Sequence, residues 1–79
     1  MFYTYVIYSI SVDKYYVGHT ENLEMRIFRH NSGTTRFTSQ ANDWEIVYFE
    51  EFSSKSDAMK RENEIKRKKS RSYIESLKK

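Results

Sequence analysis

The stretch KYYVGHTENLEMRIFRHNSG, from Lys14 to Gly33, carries the signals of a strand, a turn and a helix in succession. Its YYVG segment is aromatic and β-branched, which is typical of a β-strand. Gly18 ends this strand, and Thr20 or Asn22 can then cap a helix whose first turn is acidic. The sequence Asn31-Ser32-Gly33 ends the helix, because its glycine can adopt a left-handed C-terminal turn. The stretch therefore predicts a short strand followed directly by a helix.

The residues before this stretch predict a partner strand. Phe2 to Ile10 is aromatic and β-branched throughout, and neither face is plainly polar, so we expect a strand that is covered on both sides. Ser11 to Lys14 is a hairpin turn with Asp13 as the turn former. Because so short a loop cannot carry a parallel crossover, the two strands should be antiparallel.

The residues after the stretch complete the predicted fold. They contain a polar loop from Thr34 to Asp43, a third strand from Trp44 to Phe52, and two helices that begin near Ser54 and Ser70. The order β-β-α-β-α-α predicts an α+β fold, with one three-stranded antiparallel sheet flanked by helices. A chain of 79 residues has room for one core, so we expect a single domain over residues 1–79.

The composition argues against secreted and membrane proteins. The chain has no cysteine, which excludes disulfide bridges and thiolate metal sites and is compatible with a reducing cytoplasm, its expected location. No secretory leader opens the chain, and no apolar run approaches the ~18 residues of a membrane span. We therefore expect no membrane association.

Positive charge is concentrated in the second half of the chain. The formal net charge is +3, and ten of the 14 Lys and Arg residues fall in residues 40–79. The segment KRENEIKRKKSR, Lys60 to Arg71, holds seven basic and two acidic residues. Such a run favours a polyanionic partner, although a solvated helix face would also explain it. The candidate nucleic-acid contacts are Lys66, Arg67, Lys69, Arg71 and, in the polar loop, Arg36.

Two pairs of residues near the turn could carry chemistry. Arg26 and His30 are four residues apart and share one helix face, where a simple surface pair is the structural alternative. Tyr5 and Tyr16 lie on neighbouring strands and could pair across the hairpin. As core tyrosines they would instead supply apolar area, with each hydroxyl satisfied at an edge.

Two further residues have equally ordinary alternatives. His19 follows Gly18 at the turn and could be a loop histidine without a role. Glu62 lies among basic residues, where Lys66 is its default partner at i,i+4. Taken together, however, the Tyr, Arg, His and Glu side chains match the needs of phosphodiester hydrolysis: a base for water, a cation for the developing charge, and a carboxylate for a metal. No Asp/Glu cluster is present that would make a two-metal site.

The order and spacing of these residues are more specific than any one of them. Tyr3-Thr4-Tyr5 and Tyr16-Val17-Gly18 follow each other on the predicted hairpin. Arg26 lies eight residues after Gly18, His30 lies four residues later, and AMKRENEIK places Glu62 on a following helix. Over nearly the whole chain, this set resembles the GIY-YIG nucleases, and in particular their small stand-alone bacterial members. The helix histidine stands where members carry His or Tyr.

The chain departs from the family pattern in several places. The first tripeptide lacks the Gly and Ile of the family motif, and Val17 replaces the Ile of the second. At His19 several relatives have lysine. Many family nucleases carry a separate DNA-binding domain, and none follows here, so DNA recognition would depend on the basic helix and the loop from Thr34 to Asp43.

The resemblance implies a metal-dependent DNA endonuclease. Glu62 would hold one divalent ion, Mg²⁺ or Mn²⁺, at the scissile phosphate. The arginine would stabilise the negative charge of the transition state, and one of the tyrosines, helped by one of the histidines, would accept a proton from the attacking water. An unperturbed tyrosine has a pKa near ~10, so this base needs positive charge nearby. The implied catalytic set is Tyr5, Tyr16, Arg26, His30 and His19.

Two other function classes compete with this hypothesis. One is a nucleic-acid-binding module that keeps the fold but has little activity. The other is a protein-interaction domain with an incidental basic surface, which predicts no salt-dependent affinity for nucleic acid. For the nuclease we expect DNA as the partner, no small-molecule cofactor, and a monomer.

Overall fold

A computed structural model describes residues 1–78, in which three strands and three α-helices follow the predicted order. The strands are β1 (Phe2–Ser9), β2 (Lys14–Thr20) and β3 (Trp44–Phe52). The α-helices are α1 (Leu23–Asn31), α2 (Lys55–Lys68) and α3 (Arg71–Leu77), and a short 3-10 helix spans Phe37–Gln40. The predicted α+β class and the order β-β-α-β-α-α are confirmed.

The sheet has β1 at its centre. The strand order is β2-β1-β3, and both pairings are antiparallel. A register shift between Val6 and Ile7 interrupts the pairing of β1 with β3. This placement explains why neither face of β1 is polar: Tyr5, Val6 and Ile7 are all buried, since each face of the central strand is covered by helices.

The two faces of the sheet carry separate clusters of buried residues. Tyr5, Ile7 and Trp44 form one cluster, against which α1 packs. Val6 and Val17 of the sheet and Ile65 of α2 form the other, and α3 packs against it. Successive side chains of a strand point to opposite faces, so α1 and α2 lie on opposite sides of the sheet. The edge strand β2 is where residues from the two sides can come together.

The helix starts follow from local capping. The side chains of Asn22, Ser54 and Ser70 each accept a hydrogen bond from a backbone N–H three residues later, which confirms the three predicted helix starts. Gly33 has the expected left-handed backbone, with φ of 82°. Lys69, at the C-terminal end of α2, has φ of 47°, a conformation that costs a non-glycine residue roughly 1–2 kcal/mol.

Two local predictions need correction. The strand predicted to end at Gly18 continues to Thr20. The segment expected to be only a loop contains the 3-10 helix, whose Thr38 carbonyl accepts from Nε1–H of the buried Trp44 indole at 2.9 Å. The side chain of Asn31 then bonds to both the N–H (2.7 Å) and the carbonyl (3.0 Å) of Trp44. These contacts fix the start of β3 against the end of α1.

Among residues 1–78, no helix combines the length and the apolar character that crossing a membrane requires.

Candidate functional site

Gly18 provides the space for Tyr5, which lies opposite it on β1. A Cβ atom placed on Gly18 would lie 2.6 Å from Oη and 2.8 Å from Cζ of Tyr5. The tyrosine is 2% exposed. Burial raises the pKa of its hydroxyl above the usual range, an effect that the charge of Arg26 partly offsets. Tyr5 is therefore a neutral phenol at physiological pH, held against the backbone of the neighbouring strand.

His30 is fully buried at the end of α1, between Tyr5 and the 3-10 helix. Its Nε2 lies 2.8 Å from Oη of Tyr5, and its Nδ1 lies 2.7 Å from Oγ1 of Thr38. The Thr38 hydroxyl donates to the Thr35 carbonyl, so it accepts from Nδ1–H of His30. This assignment leaves Nε2 to accept the proton of Tyr5.

Burial keeps His30 neutral, and its two hydrogen bonds fix the orientation of the ring. Burial, and to a smaller extent the charge of Arg26, lower the pKa of His30 from 6.5 to about 4. A neutral imidazole whose two nitrogens both have partners holds a fixed orientation. Its effect in this site is to position Tyr5.

Tyr16 lies on the same side of the sheet, nearer to solvent. Its ring is 5.1 Å from that of His30 and 5.3 Å from that of Phe37, measured between centroids. Tyr16 stands opposite Ile7 in the sheet, so it is diagonal to Tyr5 and the two tyrosines meet at His30. Among the residues that the structure describes, its hydroxyl has no hydrogen-bond partner, in contrast to that of Tyr5.

His19, Glu62 and Lys66 form a second group on the opposite side of β2. Nδ1 of His19 donates to Oε1 of Glu62 at 2.5 Å, and Nζ of Lys66 donates to Oε2 at 2.5 Å. The predicted partner Lys66 is thus present, but Glu62 has His19 as well. Because the carboxylate fixes Nδ1 of His19 as a donor, its Nε2 is free to accept a proton.

The two groups of residues are joined around the edge of β2. Lys66 reaches over the ring of Tyr16, with Nζ 5.9 Å from the centroid. The charges of Arg26 and Glu62 both act on the Tyr5 hydroxyl, the first lowering its pKa and the second raising it. The candidate site therefore draws α1 residues from one side of the sheet and α2 residues from the other.

Arg26 is a half-buried cation on α1. It forms no ion pair and no side-chain hydrogen bond with any residue of the range 1–78, whereas the nearby Arg29 is exposed. Its charge nevertheless influences both Tyr5 and His30. An unpaired guanidinium at this position can bind a phosphate oxygen without first breaking another bond.

The predicted basic contacts fall into different surroundings. Lys66, Lys69 and Arg71 line a cavity of about 530 Å³ beside Tyr16. The Arg71 guanidinium is already paired with Asp13 at 2.5 Å and with Glu75 at 3.2 Å. Arg67 lies in a separate cleft with Glu64 and Lys68, and Arg36 is exposed at the start of the 3-10 helix.

The carboxylate oxygens of Glu62 are the kind of ligand that a hard divalent cation prefers. Its side chain is 13% exposed, and the ammonium of Lys66, on a side chain 48% exposed, already places positive charge beside Oε2. Within residues 1–78, no group of three or more His, Cys, Asp or Glu side chains surrounds a metal position. One carboxylate completed by water and phosphate oxygens is a normal Mg²⁺ environment, so the residues fit a single ion.

Sequence reasoning missed two residues of this arrangement. Thr38 orients His30, and Phe37 packs on Tyr16, yet both belong to the segment expected to be a polar loop. The segment that contains them shows neither helical nor strand periodicity. The apolar Phe37 within a polar segment was the one available signal.

Comparisons with known proteins agree on one family. The family model described as GIY-YIG catalytic domain matches residues 1–75. A UPF0213 protein of Staphylococcus haemolyticus is 43% identical over 65 residues, which cover 81% of this chain and 78% of that protein. A UPF0213 protein of Natronomonas pharaonis is 42% identical over 65 residues (81% and 75%), and one of Pediococcus pentosaceus is 37% identical over 79 residues (99% and 82%). No solved structure matches the chain.

Proposed function

This chain belongs to the GIY-YIG family, a family of endonucleases, and from that premise we propose that it hydrolyses phosphodiester bonds in DNA with the help of one divalent metal ion. The observation that carries the proposal is the arrangement around β2. Arg26, which has no ion-pair partner among residues 1–78, lies on one side of this strand, and a carboxylate with a histidine and a lysine on its oxygens lies on the other. A phosphate bound at the edge of β2 could contact both sides.

Glu62 is the residue that would hold the ion, since the family resemblance places no other carboxylate of this chain in that role. GIY-YIG nucleases generally use a divalent metal, and the expected ion here is Mg²⁺ or Mn²⁺. When bound, such an ion polarises the phosphate and neutralises part of its charge. His19 and Lys66 would then have to yield at least one of the two Glu62 oxygens.

Arg26 supplies fixed positive charge for the transition state. During hydrolysis the phosphate gains negative charge on its non-bridging oxygens, and a preorganised cation stabilises this charge more than it stabilises the ground state. Because the Arg26 guanidinium has no competing partner in the described chain, it needs no rearrangement to do so.

The two tyrosines have different tasks in this proposal. Tyr5 is buried, neutral and bonded to His30, so it positions the neighbouring groups and does not meet the attacking water. Tyr16 is more exposed, and its hydroxyl has no hydrogen-bond partner within the described range. We assign contact with the water to Tyr16, which leaves Tyr16 itself and Nε2 of His19 as the groups able to accept its proton.

One observation favours a second function. Both oxygens of Glu62 are engaged, by His19 and by Lys66, as they would be in a protein that binds no metal. The alternative is a nucleic-acid-binding module with little or no catalysis. It predicts salt-dependent DNA affinity without cleavage.

Cleavage of supercoiled and branched DNA in the presence of Mg²⁺ or Mn²⁺ separates the two functions. Glu62→Ala should abolish cleavage, and Arg26→Ala should reduce its rate by ~10²–10³. DNA affinity should fall little in the arginine variant, because its contribution is concentrated in the transition state. The matched controls are Glu64→Ala, which removes an exposed carboxylate of the same helix, and Arg29→Ala, which removes an exposed arginine of α1.

Each outcome has a clear meaning once thermal melting shows that the variants are folded. Parent-like cleavage by both Glu62→Ala and Arg26→Ala would refute the assigned roles. A parent protein that binds DNA but cuts no form of it with either ion would establish the binding module instead.

A further inference from the structure

The cavity beside Tyr16 is larger than the chemistry at the phosphate requires. Its volume is about 530 Å³, within the range of roughly 300–1,000 Å³ that small-molecule sites occupy. Its floor is apolar and includes Val17, Ile65 and Ile74. A phosphodiester backbone alone has no use for an apolar floor of this size.

One wall of the cavity presents an aromatic ring to solvent. Phe37 is 50% exposed although its ring packs on Tyr16 at 5.3 Å, with an interplanar angle of 31°. An aromatic ring anchored in this way offers its open surface to a flat ligand. Nucleobases stack on such rings, and the interaction tolerates any base because every base has a π-face.

The rim of the cavity carries unpaired positive charge. Lys66 is occupied by Glu62, and Arg71 is neutralised by Asp13. Lys14 and Lys69, which also line the cavity, form no ion pair or side-chain hydrogen bond within the described chain. Lys69 has a left-handed backbone, with φ of 47°, which a glycine would adopt with less strain.

We propose that this cavity is a subsite for one unpaired nucleotide next to the scissile phosphate. Its base stacks on Phe37 above the apolar floor, and its own phosphate is bound by Lys14 and Lys69. A base inside a continuous duplex is covered on both faces by its neighbours and cannot stack here. The substrate class is therefore DNA with an unpaired segment, such as a fork or a flap.

This inference rests on the proposed function, because it takes DNA as the ligand, but it concerns binding and is tested without cleavage. Fluorescence anisotropy in EDTA would compare a labelled fork with a labelled duplex that has the same number of phosphates. Phe37→Ala should weaken fork binding by roughly 5- to 150-fold, the range expected for the loss of one base–aromatic stack, and should change duplex binding little. Phe37→Trp should restore fork binding, since it retains a stacking surface.

The matched control is Phe49→Ala. Phe49 is 49% exposed, almost the same as Phe37, but it lies on β3 at the opposite edge of the sheet from Tyr16. This variant should bind the fork as the parent does. Circular dichroism and thermal melting would show that Phe37→Ala is folded, and the tryptophan variant covers the case in which it is not.

The outcomes separate the subsite from the nuclease activity. Equal affinity of the parent for fork and duplex, or a fork preference that survives Phe37→Ala, would overturn the subsite even if the protein cuts DNA. A fork preference lost in Phe37→Ala and regained in Phe37→Trp would support the subsite even if no cleavage is ever observed.

Discussion

The substitution Gly18→Ala tests the packing on which the whole site depends. The new methyl group would lie 2.6 Å from Oη and 2.8 Å from Cζ of Tyr5, whereas carbon atoms normally approach to about 3.5–4.0 Å. The buried ring cannot move aside without leaving His30, its hydrogen-bond partner. Overpacking of a core costs about 1–3 kcal/mol, and a buried acceptor left without its donor costs a further ~1–3 kcal/mol. We therefore expect the free energy of unfolding to fall by about 2–6 kcal/mol.

The assay is urea unfolding, with DNA cleavage measured on the same samples. Gly33→Ala is the control: no atom lies within 4 Å of its Cβ position, so its cost should come only from φ of 82° and amount to about 1–2 kcal/mol. In the double variant Gly18→Ala/Tyr5→Phe, the contact with Oη is removed but the 2.8 Å contact with Cζ remains. Recovery of stability relative to Gly18→Ala should therefore be incomplete.

Because the hydrogen bond between Tyr5 and His30 holds both side chains in place, Gly18→Ala should also lose cleavage activity under conditions in which it is still folded. If this variant unfolds at the same urea concentration as the parent and retains its cleavage rate, the close approach of Tyr5 to Gly18 does not position the site.

Two further predictions concern charge. The pKa of His30 is about 4 in the folded protein, whereas an ordinary histidine has a pKa of 6.5, so between these two pH values the unfolded chain binds more protons than the folded one. The contribution of His30 to the free energy of unfolding should therefore be fully present above about pH 6.5. It should fall by up to about 3 kcal/mol as the pH drops toward 4. Urea unfolding across this range should show the loss in the parent and a flatter curve in His30→Gln; equal slopes would contradict the burial of a neutral imidazole. Lys69→Gly relieves the strain of the left-handed backbone and should raise the free energy of unfolding by ~1 kcal/mol. The same variant should show a shallower salt dependence of DNA binding, by the amount expected for the loss of about one phosphate contact. If the salt dependence of DNA binding is unchanged in this variant, Lys69 does not contact a phosphate of the DNA.

The sequence predicts those parts of the fold that depend on neighbouring residues. The helix starts at Asn22, Ser54 and Ser70 were predictable because a cap involves a side chain and a backbone N–H only three residues apart. The three strands were predictable because aromatic and β-branched residues dominate each of them. The family resemblance also selected the site residues, although their individual roles remain predictions.

The contacts that make the site lie beyond such local patterns. His19 and Glu62 are 43 residues apart, and nothing near either residue indicates that they form a hydrogen bond. The sequence predicts a strand end at Gly18, since glycine often ends a strand, but Gly18 lies inside β2, where Tyr5 needs the space. Extending β2 to Thr20 places Tyr16 and His19 on opposite faces, which is why the site surrounds the strand and does not lie on one side of it.

The two hydrogen bonds between the Asn31 side chain and the Trp44 backbone have a consequence for how the chain folds. The central strand β1 is uncharged and rich in aromatic and β-branched residues, and until β3 docks, one of its edges is open to pairing with another copy of the chain. The β1–β2 hairpin forms from local contacts, whereas docking of β3 must bring together residues that are separated by α1 and the 3-10 helix, and such non-local pairing slows folding. The bonds of the Asn31 side chain to the backbone of Trp44 hold the first residue of β3 at the end of α1. Once α1 has formed, we expect these hydrogen bonds to reduce the number of conformations through which β3 must pass before it pairs with β1. They would thereby limit the time during which the open edge of β1 is prone to aggregation.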